Sequence, residues 1–476
     1  MLEERMSQLE IIIVGAGKVG YKLAEAFEIE DNNVIMIDVS AKALERADNQ
    51  LDVLTVRGNG AQLSLLKSLK TGEKDLLIAV TSSDEANILI ASTAKKLGCK
   101  KVAARVRNPE YSKQIDFVKK EMQIDYVANP ELETAKEISK YVIKGKALHM
   151  EDFANGRVVM TEFRAKNLPL AKNTRLKELD IPGPMLIAAI QRDGGIIIPH
   201  GDTIILESDL VYIIGEKQTV NNYCTDCGKP SVSKSAKKVM ILGGGKAGYY
   251  LAKNLIKSGV NVKIVERSEE RCRYLAEELP AALIIHGDGT DSDLLKEENI
   301  AETDALVSLT GYDEENLLLA LLAKKHGVPK VIAKVSRPNY IPIIEQLGID
   351  VAINPVLITA SEILRYTQGG RVASLSLLLG GEAEVIELIT QENSAIVGKP
   401  LKALNLPRGL IVGAIVRNGE VIIPNGDTVV GPEERLIIFI LQSEVKILKK
   451  LFYKTRGGVF GELWNSYKGL RDPSSI

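Results

Sequence analysis

The chain has 476 residues, 45% of them apolar and 26% charged, with Lys plus Arg (61) nearly balancing Asp plus Glu (62). A net charge of −1 argues against bulk binding of nucleic acid, which needs a basic surface excess, and four cysteines in so long a chain rule out a disulfide scaffold. No uninterrupted apolar segment approaches the roughly 18 residues that span a bilayer. Glu3, Glu4 and Arg5 precede the first apolar run, the wrong order for a secretory leader. The chain is therefore expected in the cytoplasm, reaching a membrane only by docking to a partner.

In chain order, short β-branched runs near 9–14, 33–38, 51–56, 75–80, 101–106 and 125–128 alternate with helical patterns near 18–28, 41–48, 61–69, 84–97 and 110–120. Such βαβα alternation implies a parallel sheet covered on both faces. A further helical pattern follows over 130–144. The stretch from about Gly156 to Gly215, punctuated by Pro182-Gly183-Pro184, Asp193-Gly194-Gly195 and Gly201-Asp202, reads as a small α+β module. Glu216–Ala236 is rich in Ser, Asn, Lys and Thr, a composition that suits an exposed linker.

The whole pattern then repeats. EIIIVGAGKVG (10–20) returns as KVMILGGGKAG (238–248), AVTSSDEANI (79–88) as SLTGYDEENL (308–317), and ARVRNPEY (104–111) as AKVSRPNY (333–340). IDYVANP (124–130) returns as IDVAINP (349–355), and GGIIIPHGDT (194–203) as GEVIIPNGDT (419–428). The offsets stay between 225 and 229 residues, so the chain is an internal duplication. The expected class is α/β: two Rossmann-like, doubly wound parallel sheets, each followed by a small α+β module. The boundaries fall at 9–145 and 146–220 for the first half, 221–235 for a linker, 236–367 and 368–452 for the second half, and 453–476 for a tail.

The glycine loops carry the chemistry. Gly15-Ala16-Gly17-Lys18-Val19-Gly20 links a predicted strand to a predicted helix, and Asp38 ends the next strand 18 residues after the last glycine. In that setting the motif is a dinucleotide-binding fingerprint. Gly15 makes the tight turn, Gly17 lets a pyrophosphate approach the backbone, and Gly20 lets helix and strand pack closely. The helix N-terminus faces the phosphates. Asp38 is placed to hold the adenosine ribose and to repel a 2′-phosphate, so NAD(H) is favoured over NADP(H). Gly243-Gly244-Gly245-Lys246-Ala247-Gly248 and Glu266 repeat the constellation at the same spacing. Strand ends elsewhere should line the same crevices: Asn59, Thr81, Ser82, Arg105 and Arg107 in the first half, Asp288, Thr310 and Gly311 in the second. Thr81-x-x-Asp84 and Thr310-x-x-Asp313 also read as capping boxes.

A dehydrogenase would need a proton relay beside the nicotinamide. The four histidines, 149, 200, 286 and 326, sit in no motif with a positioned carboxylate, and Tyr249-x-x-x-Lys253 falls in the helix behind the second glycine loop. These features favour a nucleotide sensor over the alternative, an NAD-dependent oxidoreductase, and no catalytic residue is assigned. Cys224-x-x-Cys227 offers at most half of a zinc site and reads as a pair of reduced thiols.

GAGKVG with Asp38, AVTSSDEAN, ARVRNPEY and a GDT-containing module, all present twice, resemble the regulator-of-potassium-conductance (RCK, also KTN) domain family. The tandem layout resembles the peripheral nucleotide-binding subunits of Trk-type potassium-uptake systems over about residues 9–450. The resemblance implies a homotetrameric gating ring at the inner face of the membrane, a membrane potassium-translocating subunit of Trk type as partner, and NAD(H) or ATP/ADP as ligand. A regulatory ring for a potassium efflux channel or antiporter uses the same modules and is the other reading. By resemblance the contacting positions are Gly15–Val19, Asp38, Asn59, Thr81, Ser82 and Arg105, and in the second copy Gly243–Ala247, Glu266, Asp288, Thr310 and Lys334. The second copy departs at Lys334, Ser336 and Gly311, where the first has Arg105, Arg107 and Ser82, with Arg271 and Arg337 as the cations placed to compensate.

Overall fold

A computed structural model describes residues 9–445 except 30–31, 144–149, 169–172, 180, 194, 227–235, 338–339, 341–343, 345–346, 368–371, 379–381 and 393. The first half opens with β1 (Glu10–Val14), α1 (Lys18–Ile29), β2 (Asn33–Asp38), α2 (Ala41–Gln50), β3 (Leu54–Arg57), α3 (Leu63–Ser68), β4 (Leu76–Ala79) and α4 (Asp84–Lys96). It continues through β5 (Lys101–Arg105), α5 (Pro109–Lys113), α6 (Ile115–Glu121), β6 (Tyr126–Ala128) and α7 (Pro130–Ile143). All neighbouring strands are parallel, in the order β3-β2-β1-β4-β5-β6. Ile11, Ile12 and Ile13 are fully buried because helices cover both faces, which is why β1 reads as a continuous apolar run. Helix α4 shows the local signals that start and stop these helices. The Ser83 Oγ accepts from the Ala86 N–H at its N-terminus, Asp84 and Glu85 lie in the first turn, and Lys95 and Lys96 lie in the last, each complementing the helix dipole.

The small module holds β7 (Met150–Phe153), β8 (Val158–Arg164), β9 (Met185–Arg192), β10 (Gly195–Ile197) and β11 (Leu210–Glu216), followed by α8 (Lys217–Asp226). Its sheet is antiparallel in the order β10-β9-β11-β8-β7. Helix α8 differs from the exposed linker read from composition. Val220 and Tyr223, three apart on one helix face, are buried in the module core against Phe163 and Val211. The side chains of Cys224 and Cys227 and the tail 453–476 lie outside the described residues. The single helix expected near 110–120 is two, α5 and α6, broken at Gln114.

The second half repeats the plan with β12 (Lys238–Leu242), α9 (Lys246–Lys257), β13 (Asn261–Glu266), α10 (Glu269–Glu278), β14 (Leu283–His286) and α11 (Ser292–Glu297). Then come β15 (Ala305–Ser308), α12 (Asp313–Lys325), β16 (Lys330–Lys334), β17 (Val351–Ile353) and α13 (Pro355–Thr367). The sheet order β14-β13-β12-β15-β16-β17 matches that of the first half. The last module is β18 (Val372–Leu378), β19 (Ala383–Ile389), β20 (Leu410–Arg417), β21 (Glu420–Ile422) and β22 (Arg435–Leu441), in the order β18-β19-β22-β20-β21.

The halves interlock. Helix α7 leaves its own sheet and buries Ala135, Ile138 and Val142 against α9 and the second sheet, among Val239, Ile241, Leu251 and Leu255. Helix α13 does the reverse, placing Leu357, Ala360, Ile363 and Leu364 against Leu23 and Phe27 of α1. Lys330, 6% exposed, donates from its ammonium to the Tyr141 carbonyl of α7 at 2.9 Å. The two small modules also meet, with Phe153, Met160 and Tyr212 of one sharing a core with Val385, Ile437 and Phe439 of the other. Each half therefore buries apolar surface that belongs to the other. Area of that kind contributes about 25 cal/mol per Å², so the halves are held as one body.

Candidate functional site

In each Rossmann sheet the strand order reverses between the first and fourth strands, and the loops leaving them diverge into a crevice. In the first half the Gly15 N–H donates to the Ile37 carbonyl at 2.8 Å. Gly15 has φ of +112°, and a Cβ there would lie 2.9 Å from the Val80 carbonyl, so glycine is required on two counts. A Cβ on Gly20 would lie 1.8 Å from the Gly15 carbonyl oxygen, which fixes how closely α1 meets β1. A Cβ on Gly17 would meet nothing within 4 Å, leaving an open approach to the backbone. The second loop repeats all three: Gly243 at φ +105°, Gly248 with a Cβ 2.2 Å from the Gly243 oxygen, and Gly245 facing open space.

Asp38 ends β2 beside the first loop. Its Oδ2 accepts from the Ala16 N–H at 2.7 Å and its Oδ1 from the Ser40 N–H at 2.8 Å. A carboxylate has about four acceptor sites, so each oxygen keeps one for a ligand hydroxyl. Glu266 does the same for Gly244 and Ser268, both at 2.8 Å. The next residue differs between halves: Val39 is 65% exposed beside the first cleft, whereas Arg267 pairs with Asp288 (3.4 Å) and Glu315 (3.0 Å). Asn59 accepts from the Ala61 N–H at 3.0 Å. Its counterpart Asp288 accepts from both the N–H and the hydroxyl of Thr290, and these bonds, with Arg267, hold its carboxyl below the usual range.

The ends of β4 and β5 are tied by a residue the sequence reading missed. Asn87, fully buried on α4, accepts from the Thr81 N–H (2.8 Å) and hydroxyl (2.7 Å) and donates to the carbonyls of Thr81 (3.2 Å) and Arg105 (2.9 Å). Asn316 makes the backbone part of this network with Thr310 and Lys334. The signal was present: an asparagine stands six residues after the threonine in both halves. Thr81 is accordingly not a capping box, because Ser83 caps α4 and the Thr81 hydroxyl is committed to Asn87. In the second half Tyr312 occupies the N-cap without a side-chain bond. Arg107 does not reach for a ligand either; it bonds the buried Asp84 at 3.3 Å and the Ser82 carbonyl.

A cavity of about 650 Å³ occupies the first crevice. Gly15, Gly17, Lys18, Val19, Asp38, Asn59, Thr81, Ser82 and Arg105 all line it, while Ala16 and Gly20 serve the turn and the helix packing behind it. The far wall comes from the other half. Ala247, Lys334 and Ser336 line the same cavity, as do Glu131 and Thr134 at the start of α7 and Val356 and Thr359 at the start of α13. Lys246 of the second glycine loop stands 3.9 Å from Asp84. Burial raises the Glu131 carboxyl, against the pull of Arg107, Arg105 and Lys246. Burial lowers Arg105 and Lys334, and for Lys334 the nearby Glu131 opposes it.

Gly243, Gly244, Gly245, Gly248, Glu266, Asp288 and Thr310 gather around their own switch point instead. There Arg271 lies over the loop, its Nε donating to the Gly244 carbonyl at 2.7 Å and its guanidinium stacked 4.5 Å from the Tyr274 ring centroid. Arg337 does not compensate for Arg105; it bonds Glu314 and Tyr340 on the surface. Tyr249 and Lys253 are a helix pair, with the Tyr249 hydroxyl donating to Glu278 at 3.0 Å.

Two doubly wound sheets with glycine loops at their switch points, each followed by an antiparallel module and joined by exchanged helices, define a tandem RCK-type protein. The TrkA-N domain matches residues 11–130 and 239–355, and the TrkA-C domain matches residues 160–227 and 385–453. The chain belongs to the TrkA family. It is 38% identical over 452 residues to Trk system potassium uptake protein TrkA homolog 1 of Methanosarcina mazei, covering 93% of this chain and 100% of that one. It is 32% identical over 455 residues to the TrkA protein of Azorhizobium caulinodans, covering 93% and 98%. Among solved structures, the GsuK RCK domain superposes with a TM-score of 0.55 at 16% identity, covering 95% of this chain and 96% of that one. The GsuK channel bound to NAD gives 0.54 at 17%, covering 95% and 80%. Among the described residues no helix is long and apolar enough to cross a membrane.

Proposed function

We propose that this chain is the nucleotide-responsive regulatory subunit of a Trk-type potassium-uptake system, docked on the inner face of the membrane against a potassium-translocating subunit. The observation that carries this reading is the composition of the first cleft: its floor is one half of the chain and its far wall is the other. A ligand there touches both halves at once, so its binding free energy depends on how they are set. A ligand shifts a conformational equilibrium only through such differential contact, and coupling of about 1–3 kcal/mol changes populations roughly 5–150-fold.

The residues fit NAD(H). The open face of Gly17 admits a pyrophosphate, Asp38 keeps acceptor sites for a ribose diol, and exposed Val39 offers an apolar face to an adenine ring. ATP and ADP share the adenosine half of these contacts and are the alternative ligands. When bound, the nucleotide supplies binding free energy and no hydride chemistry; the Tyr249–Lys253 pair is held in helix contacts, and no residue is assigned a catalytic role. The relatives named as potassium-uptake proteins support the partner assignment.

Deleting the chain from its host should abolish most potassium uptake at low external potassium, measured by rubidium or potassium influx. Unchanged influx in a host without a second uptake system would refute the role. Assembly into a ring, with four copies as the expected number, predicts an oligomer by light scattering at micromolar concentration, and a monomer there would contradict it.

A further inference from the structure

Three buried side-chain polar atoms without a hydrogen-bond partner belong to residues lining the first cleft: Arg105 Nε, Glu131 Oε2 and Thr134 Oγ1. Buried polar groups are nearly always paired, so an unpaired cluster calls for a missing polar partner. Thr134 is 1% exposed and stands one turn beyond Glu131, on the same face of α7. The set comprises one donor, one anionic acceptor and one hydroxyl that serves as either.

Strand order places this cluster relative to the rest of the cleft. Asn59 follows β3 and Arg105 ends β5, four strand spacings apart in the sheet, which is about 19 Å. Adenosine at Asp38 and pyrophosphate at Gly17 leave the second nucleoside at Arg105 and Glu131. Val356, at the position in α13 that Glu131 holds in α7, also lines the cleft, so the two equivalent positions give the lining one charged and one apolar side chain. A flat ring carrying a carboxamide matches this lining. Its amide hydrogens suit Glu131 and Thr134, its carbonyl suits Arg105 Nε, and its face suits Val356. Of the neighbouring cations, Arg107 bonds Asp84 and the Ser82 carbonyl, Arg105 bonds the Thr81 carbonyl through its Nη2 and Lys246 stands near Asp84, while Lys334 lines the same cleft close to Glu131.

We propose that Glu131 makes the first cleft redox-selective, setting a carboxylate against the nicotinamide so that the cationic ring of NAD+ is held more tightly than the neutral ring of NADH. The same charge opposes nucleotides that end in phosphate. The inference rests on the NAD(H) reading of this cleft and adds to it the residue that discriminates between the two forms.

The test is calorimetric titration of the full chain with NAD+, NADH and ATP in EDTA, so that no metal bridges a phosphate to the carboxylate. A Gly245→Ala background closes the second glycine loop. The unmodified first site should prefer NAD+ roughly tenfold or more, the effect of one charge-assisted contact. Glu131→Gln should bring the NAD+ to NADH ratio toward one, mainly by weakening NAD+, and should tighten ATP. Val356→Glu, which adds a second carboxylate to the cleft lining, should steepen the NAD+ preference and decides the matter if Glu131→Gln fails to fold. Equal binding of NAD+ and NADH by the unmodified site, or an unchanged ratio in Glu131→Gln, overturns the inference. If Asp38→Ala still weakens both dinucleotides, that failure leaves the cleft assignment standing. Binding of neither dinucleotide overturns both.

Discussion

Asp38→Ala should weaken NADH binding at the first site by roughly 10–150-fold, the range for losing a hydrogen bond to a charged group. The carboxylate stands where Rossmann sheets hold the adenosine ribose. It also accepts from the Ala16 and Ser40 N–H groups, so the alanine variant loses support for the glycine turn as well. The Ser40 N–H is exposed, so water can replace the carboxylate there, whereas the part-buried Ala16 N–H behind the cleft loses its partner. The fold should therefore survive with a modestly lower melting temperature. NADPH should be hurt less than NADH, or bind better, because the charge that repels a 2′-phosphate is gone. Glu266→Ala should leave the first site intact, since it supports the other loop. Titration of each variant with NADH and NADPH beside a thermal melt checks this. Unchanged NADH affinity in folded Asp38→Ala protein would remove the ribose assignment.

Two glycines three residues apart should fail in opposite ways. Gly17→Ala places its methyl where nothing lies within 4 Å, so the protein should melt normally, yet the methyl occupies the approach a pyrophosphate needs. Binding should fall by about 100-fold, equivalent to roughly 2.7 kcal/mol. Gly20→Ala gains about 0.8–1.0 kcal/mol of helix propensity. Against that, its Cβ would stand 1.8 Å from the Gly15 carbonyl oxygen, a backbone clash that α1 relieves only by moving off β1. Overpacking of this kind costs about 1–3 kcal/mol, occasionally more, so the clash should prevail and the melting temperature should fall. Melting and NADH titration of both variants separate a ligand-facing glycine from a packing glycine. Wild-type stability of Gly20→Ala, or wild-type binding by Gly17→Ala, would contradict the respective role.

Much of the architecture was legible because parallel strands buried on both faces leave continuous β-branched runs, and because the duplication let one half check the other. The glycine loops were legible for a sharper reason: Gly15 and Gly20 tolerate no Cβ. The exchange of α7 and α13 was only half legible. The stripe Ala135, Ile138 and Val142 shows that α7 is buried, but a stripe does not specify the surface that buries it. Helix α8 was misread because Val220 and Tyr223 make a narrow apolar edge in an otherwise polar segment. Thr81 reads from sequence as both a cap and a crevice residue, and only the position of Asn87 shows that Ser83 supplies the cap. Glu131 lay unnoticed at the start of a helix whose role in the cleft follows from the interlock of the halves.

Potassium influx in a deletion host carrying either the wild-type chain or Gly17→Ala tests the central claim most directly, with protein levels and melting temperatures matched. If nucleotide occupancy of the cleft between the halves controls uptake, the wild-type chain restores nucleotide-responsive influx and Gly17→Ala does not, despite being folded and present in equal amount. Equal restoration of influx by a Gly17→Ala chain shown to bind no nucleotide would contradict it.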